Sequence, residues 1–288
     1  NKKKNKIISE KEAIDILEFA YANDILSYDT ARTYGTSEFL LGKFLKNKKD
    51  VEITTKLDTN IISDTSKKTV DNIIASIDKS HILIGKINTI LLHRMDRYYH
   101  NDMIIIKTLN NMKTRGYFEK IGVSIYNVDQ AIDLLSDKMI DHIQLPINFL
   151  DSQWKHKTFL DLIKKSNITI YARSIFLQGI LVSDASYWPK IPGINPVEYI
   201  YKIDQLVESF GLGSRIELCF SYVNSIPWID GIIIGVDSIL HIKENLKHIK
   251  TRCLTVDEIN QIAETFGDVP KILINPSMWN KTTTTARL

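Results

Sequence analysis

The sequence predicts an α/β protein of the (β/α)8 TIM barrel class, and three observations predict it. Seven short runs rich in branched aliphatic residues punctuate the chain, at Ile25–Thr30, Val51–Leu57, Asn88–His93, Lys120–Ile125, His142–Asn148, Ile168–Ser174 and Gly231–Val236. Amphipathic helical stretches separate them, and that alternation implies parallel strands joined by helical crossovers. No G-x-G-x-x-G follows any run, which argues against an open doubly wound sheet built to bind a dinucleotide. The 288 residues suit one barrel domain spanning 1–288. The chain opens on a helix, so the missing eighth strand is the first. The sequence places it ahead of Asn1, in an N-terminally truncated chain; the other arrangement is an open barrel.

The helices are marked one by one. Ser9-Glu10-Lys11-Glu12 has the form of a capping box before Ala13, Ile14, Ile16, Leu17 and Ala20. Thr36–Leu45 carries Phe39, Leu40, Leu41, Phe44 and Leu45, and residues 65–80 carry Val70, Ile73, Ile74 and Ile77. Further helices are predicted at Asp102–Thr114, Val128–Leu135, Phe159–Lys165, Pro196–Ser209, Arg215–Val223, Ile239–His248 and Val256–Phe266. Leu181–Pro196, with Pro189 and Pro192, reads as a loop over the barrel mouth.

Composition narrows the function classes. A net charge of +3 spreads along the chain, apart from the opening run Asn1–Lys6, which lacks the interleaved aromatics of a nucleic-acid arm. No stretch of about 18 apolar residues crosses a membrane, and no signal peptide opens the chain. Cys219 and Cys253 make no disulfide framework, which points to the cytoplasm. His93, His100 and His142 lack metal-ligand spacing. The expected partner is a small carbonyl compound, not nucleic acid or membrane; the oligomeric state is unread.

Parallel barrels collect chemistry at the C-terminal ends of their strands. There the first three runs deliver Asp29, Lys56 and His93, with Tyr34 in the loop after the first. An ammonium beside a phenol favours the phenolate and makes tyrosine a better acid than its ordinary value near 10 allows. Asp29 would hold Lys56 by a charge-assisted bond, and His93 would orient a carbonyl oxygen. Arg94, Arg97, Tyr98, Tyr99 and His100 follow as a polar loop. Trp154, Trp188 and Trp228 are equally candidates for pocket lining or packing.

These residues stand in motifs that resemble one family. Asp29-Thr30-Ala31-Arg32-Thr33-Tyr34-Gly35-Thr36-Ser37-Glu38, followed by Leu41-Gly42, resembles the D-T-A-x-x-Y-G-x-S-E-x-x-L-G signature of the aldo/keto reductases. Thr54-Thr55-Lys56, Leu91-Leu92-His93, Ile121-Gly122-Val123-Ser124 and Gln144-Leu145-Pro146-Ile147-Asn148 resemble its later strands, in order, and Asn275–Trp279 resembles its close in many bacterial members. The resemblance implies a nicotinamide-dependent oxidoreductase that reduces an aldehyde or ketone, sugar-derived in several bacterial members, with Tyr34 as proton donor. A non-catalytic nucleotide-binding subunit of the same fold is the alternative.

The resemblance also implies a cofactor site. Ser124, Gln144 and Asn148 would hold the carboxamide and ribose. Arg173, Ser174, Phe176, Gln178 and Gly179 would cover the nicotinamide, with Arg173 where many members stack an aromatic ring; a guanidinium plane also stacks. Gly235, Val236, Asp237, His241, Glu244 and Asn245 would hold the adenosine half. Many members place Lys or Arg there for the 2′-phosphate of NADP, which is the family's usual cofactor. Asp237 would repel that phosphate and accept from a free ribose hydroxyl, so NAD is the other cofactor the sequence admits.

Overall fold

The computed structural model describes residues 8–100, 103–137 and 139–281. The basic run Asn1–Lys6, and any strand ahead of Ser9, lie outside them, as does Asp102 of the fourth predicted helix.

Seven strands form one sheet in the order β1-β2-β3-β4-β5-β6-β7. They are β1 Ser27–Asp29, β2 Glu52–Lys56, β3 Thr89–Leu92, β4 Lys120–Ser124, β5 His142–Pro146, β6 Thr169–Arg173 and β7 Gly231–Ile232. Pairing is parallel from β1 through β5 and again between β6 and β7. Helices follow in turn: α1 Glu10–Tyr21 ahead of β1, then α2 Ser37–Leu45, α3 Ser66–Ile84, α4 Ile104–Thr114, α5 Val128–Leu135 and α6 Lys157–Ile163. After β6 come α7 Pro196–Ser209 and α8 Arg215–Asn224; after β7 come α9 Ile239–His248, α10 Val256–Phe266 and α11 Lys271–Ile274. This is the strand–helix alternation of the (β/α)8 barrel, with seven strands among the described residues. The order ends on its two shortest strands. The run predicted to reach Val236 forms a strand of two residues: after Ile233 donates to the Ala172 carbonyl at 2.7 Å, no ladder partner follows among the described residues.

Two compact units are distinguishable. The first holds residues 1–145, 165–170 and 235–243. Its strands are buried on both faces, as parallel strands are: Thr89–Leu92 of β3 are all buried, and so are Ile121–Ser124. α1 begins as its sequence requires. Ser9 Oγ accepts from the Glu12 amide at 3.2 Å and a Glu12 carboxylate oxygen accepts from the Ser9 amide at 2.8 Å. Two glycines of the motifs have steric causes. A Cβ on Gly42 would stand 1.7 Å from the Leu83 carbonyl oxygen, so α2 meets the end of α3 backbone to side. A Cβ on Gly122 would stand 2.3 Å from Leu91 and 2.5 Å from the His142 carbonyl oxygen on the flanking strands. The segment read as a polar loop after His93 is partly core: Tyr98 is 1% exposed and its hydroxyl donates to Asp137.

The second unit holds residues 146–164, 171–234 and 244–288. Trp154 and Trp228 both pack on Phe159, at 5.6 and 5.0 Å between ring centroids, and Trp188 packs on Tyr199 at 5.6 Å. The segment 181–196 is anchored, not loose: Leu181, Trp188 and Ile191 are buried, and Arg215 donates to the Ser183 carbonyl at 3.1 Å. Among the described residues no helix is long and apolar enough to cross a membrane.

One buried base makes the first unit acid-sensitive. His142, at the start of β5, is 2% exposed. Burial first, then the Lys120 and Lys56 charges, pushes it down to about 4 from its ordinary 6.5. Within that window the unfolded chain binds the proton and the fold does not. Stability is therefore full above 6.5 and falls as pH drops, by about 3 kcal/mol at the lower end. Urea midpoints at neutral pH and near pH 4.5 check this: His142→Asn should flatten the fall.

Candidate active site

β1, β2 and β3 end side by side, and each presents one polar group at its C-terminal end. In the β1–β2 register Asp29 stands opposite Thr54. Side chains alternate along a strand, so Lys56 lies on the face of Thr54, one repeat further on. Lys56 therefore projects beside Asp29, and its ammonium pairs with the Asp29 carboxylate. The ammonium also donates to the Thr30 carbonyl at 3.3 Å. The lysine is 4% exposed and the aspartate 15%, so the pair is largely out of water.

Tyr34 sits in the turn between β1 and α2. Its ring centroid is 5.4 Å from the Lys56 nitrogen and 6.1 Å from the His93 ring, which meets it edge-on at 84°. Tyr34 is 49% exposed, while the lysine beside it is buried. The structure thus brings together all four residues that the sequence singles out. Gln144 joins them from β5: its amide nitrogen donates to the second Asp29 oxygen at 2.7 Å. That bond fixes one end of Gln144 on the aspartate, a contact the sequence reading does not anticipate. Ser124, at the end of β4, is 3% exposed.

The remaining predicted cofactor residues lie elsewhere in the chain. Asn148 is 1% exposed; its oxygen accepts from the Leu150 amide at 3.0 Å, while its buried amide nitrogen has no hydrogen-bond partner among the described residues. A buried donor is costly to leave unpaired, and a carboxamide or ribose oxygen would satisfy it. Arg173 donates to the Ser174 hydroxyl at 3.5 Å. Ser174, Leu177 and Gln178 hold positive φ of 60°, 45° and 56°, and Gly179 follows at 87°. Non-glycine residues rarely adopt that region, and strained backbone of this kind concentrates at ligand clamps. Phe176 packs on Phe220 at 5.8 Å. Gly235 and Asp237 are exposed, and Val236 is half-buried. Asp237 accepts from the His241 ring at 2.8 Å across the start of α9, and Glu244 pairs with Lys247 at 2.6 Å beside Asn245.

One buried polar residue beside the site escapes sequence reasoning: Glu38. It enters the reading only as a signature position at a helix start, yet it is 2% exposed. Its carboxylate accepts from Arg32, from Thr55 at 2.7 Å and from Ser80 at 2.9 Å. An acidic residue in the first turn of a helix gives no hint of such burial; only its place in the Ser37-Glu38 pair of the signature marks it.

Fold and site define the class: a parallel strand–helix barrel with an acid–base cluster at the ends of its early strands. A sequence model described as the aldo/keto reductase family matches residues 1–266. The chain belongs to the aldo/keto reductase family, and so to the NAD(P)-dependent oxidoreductases that act on carbonyl and hydroxyl groups. Among solved structures it is similar to aldo-keto reductase AKR11C1 from Bacillus halodurans, apo form, at 20% identity over 91% of this chain and 89% of that one, with a TM-score of 0.72. The holo form of the same protein matches at 18% identity over the same shares, with a TM-score of 0.73. The glycerol dehydrogenase AKR11B4 from Gluconobacter oxydans matches at 20% identity over 92% of this chain and 88% of that one, with a TM-score of 0.72. These likenesses establish the fold. A comparison with curated proteins finds no match.

Proposed function

We propose that the chain reduces an aldehyde or ketone with Tyr34 as general acid, Lys56 as the charge that makes it acidic, Asp29 as the anchor of Lys56, and His93 as the group that positions the carbonyl oxygen. The observation that carries this reading is the buried Lys56 ammonium, paired with Asp29 and 5.4 Å from the Tyr34 ring centroid. A reduced nicotinamide, when bound, supplies the hydride. The protein's own part is the proton. As the carbonyl carbon gains the hydride its oxygen becomes an alkoxide, and the Tyr34 hydroxyl gives that oxygen its proton. Lys56 stabilises the phenolate left behind, and does so strongly because its site excludes water.

Ser124, the free end of Gln144 and Asn148 would hold the carboxamide and ribose. Arg173, Ser174, Phe176, Gln178 and Gly179 would cover the ring, and the 235–245 segment would take the adenosine half. Asp237, opposed to His241, favours a ribose hydroxyl over a phosphate. Asp237→Ala should therefore raise affinity for NADPH relative to NADH by about tenfold, read by fluorescence titration of both nucleotides. An unchanged ratio would exclude Asp237 from nucleotide choice.

The likeness to a glycerol dehydrogenase directs the first substrate panel to short polyols and sugar-derived carbonyls. Two free thiols, Cys219 buried and Cys253 exposed, suit a reducing cytoplasm. Loss of reduced-nicotinamide absorbance with an aldehyde panel tests the reading. Nucleotide binding without turnover of any carbonyl would favour the non-catalytic alternative.

A further inference from the structure

The buried Glu38 carboxylate is costly. It sits in the first turn of α2 away from water, and a buried charge persists only when fully paired and bonded. Two of its partners, Arg32 and Thr55, lie in the segments that carry Tyr34 and Lys56. Arg32 belongs to the turn that carries Tyr34. Thr55 belongs to β2, one residue before Lys56, and alternation puts its side chain on the opposite face of the strand from the lysine. Ser80, from α3, closes the group at 2.9 Å. The backbone repeats the connection: the Thr30 amide donates to the Thr54 carbonyl at 2.9 Å and the Arg32 amide to the Lys56 carbonyl at 3.3 Å. The end of β2 is therefore gripped on one face by Glu38 and on the other by Asp29. The turn bearing Tyr34 is tied to both. The same turn is also closed locally: the Thr30 hydroxyl donates to the Ser37 hydroxyl at 2.8 Å and the Tyr34 amide to the Ala31 carbonyl at 3.0 Å.

We infer that Glu38 is a positioning residue for the reaction: through Arg32 and Thr55 it sets the distance between the phenol of Tyr34 and the ammonium of Lys56. It touches neither substrate nor cofactor in this account. The inference rests on the reading of Tyr34 as proton donor. A misplacement of about 1 Å between reacting groups costs roughly a hundredfold in rate. Glu38→Gln keeps volume but turns an amide nitrogen toward a guanidinium or a hydroxyl, so the lock opens without emptying the site.

The test uses the whole chain with 4-nitrobenzaldehyde as probe. In Glu38→Gln the single-turnover rate should fall about tenfold to a hundredfold. The nucleotide Kd and the aldehyde KM should stay within about twofold, and the solvent deuterium isotope effect on the rate should rise, because proton transfer becomes the slow event. A purely structural role would lower the folded fraction and leave the isotope effect of the remaining enzyme unchanged; that result overturns the inference. If Glu38→Gln does not fold, Thr55→Val removes one bond at nearly constant volume. It should show the same rise in isotope effect with a smaller loss of rate, and a wild-type isotope effect there overturns the inference equally. Tyr34→Phe separates the two readings. Turnover retained in Tyr34→Phe overturns both, whereas wild-type behaviour of Glu38→Gln beside an inactive Tyr34→Phe overturns this one alone.

Discussion

Tyr34→Phe is expected to lose turnover by about a hundredfold to ten-thousandfold, the usual worth of a positioned general acid, while nucleotide affinity stays within about twofold of wild type. The change removes one hydroxyl from a ring that is 49% exposed, so it opens no cavity in the core and should not disturb the fold. The loss should fall on kcat and kcat/KM alike, because the proton is given only as the alkoxide develops. Steady-state kinetics with an aldehyde, alongside fluorescence titration of the nucleotide, check both halves. Turnover near the wild-type rate would remove Tyr34 from the chemistry.

Lys56→Met has the second large effect, and it acts twice. Without the ammonium the phenol is a weaker acid. The reduction rate should drop by about a hundredfold, and the high-pH limb of kcat should move upward, since the positive charge is what lowers it. The substitution also strands Asp29, largely buried at 15% exposed, with the Gln144 amide still donating to it at 2.7 Å. Removing one partner of a buried pair costs about 3 kcal/mol, visible as a lower urea midpoint. Asp29→Asn in the same background should recover much of that stability and none of the rate. Recovery of both would mean that the lysine is structural.

Much of this was legible because parallel strands obey two simple rules, order and alternation. The β-rich runs that carry Asp29, Lys56 and His93 at or next to their ends are consecutive, so their C-terminal ends had to be neighbours. The separation of 27 residues between Asp29 and Lys56 is bridged by one helix and one register. The helix starts were legible for a local reason: Ser9 and Glu12, or Thr255 and Glu258, meet within one turn. What the sequence hid is long-range and unpatterned. The Gln144–Asp29 bond joins residues 115 apart, on strands that are not neighbours in the sheet. Nothing local marks it, and resemblance to a family assigns Gln144 to the cofactor instead. Glu38 was hidden in the same way. Its burial is made by Arg32, Thr55 and Ser80 from three separate elements. Tyr98 read as a loop residue because its partner, Asp137, lies 39 residues on.

The proposed mechanism depends on the lysine making one tyrosine unusually acidic. Ultraviolet phenolate titration of wild type, Tyr34→Phe and Lys56→Met addresses this directly, since the chain has 12 tyrosines and burial pushes Tyr28 and Tyr222 upward, away from the window of interest. Wild type should show one tyrosine ionising ahead of the ordinary value near 10. That step should vanish in Tyr34→Phe and rejoin the ordinary range in Lys56→Met. A wild-type curve with no early step, or an early step that survives in Lys56→Met, would contradict the account.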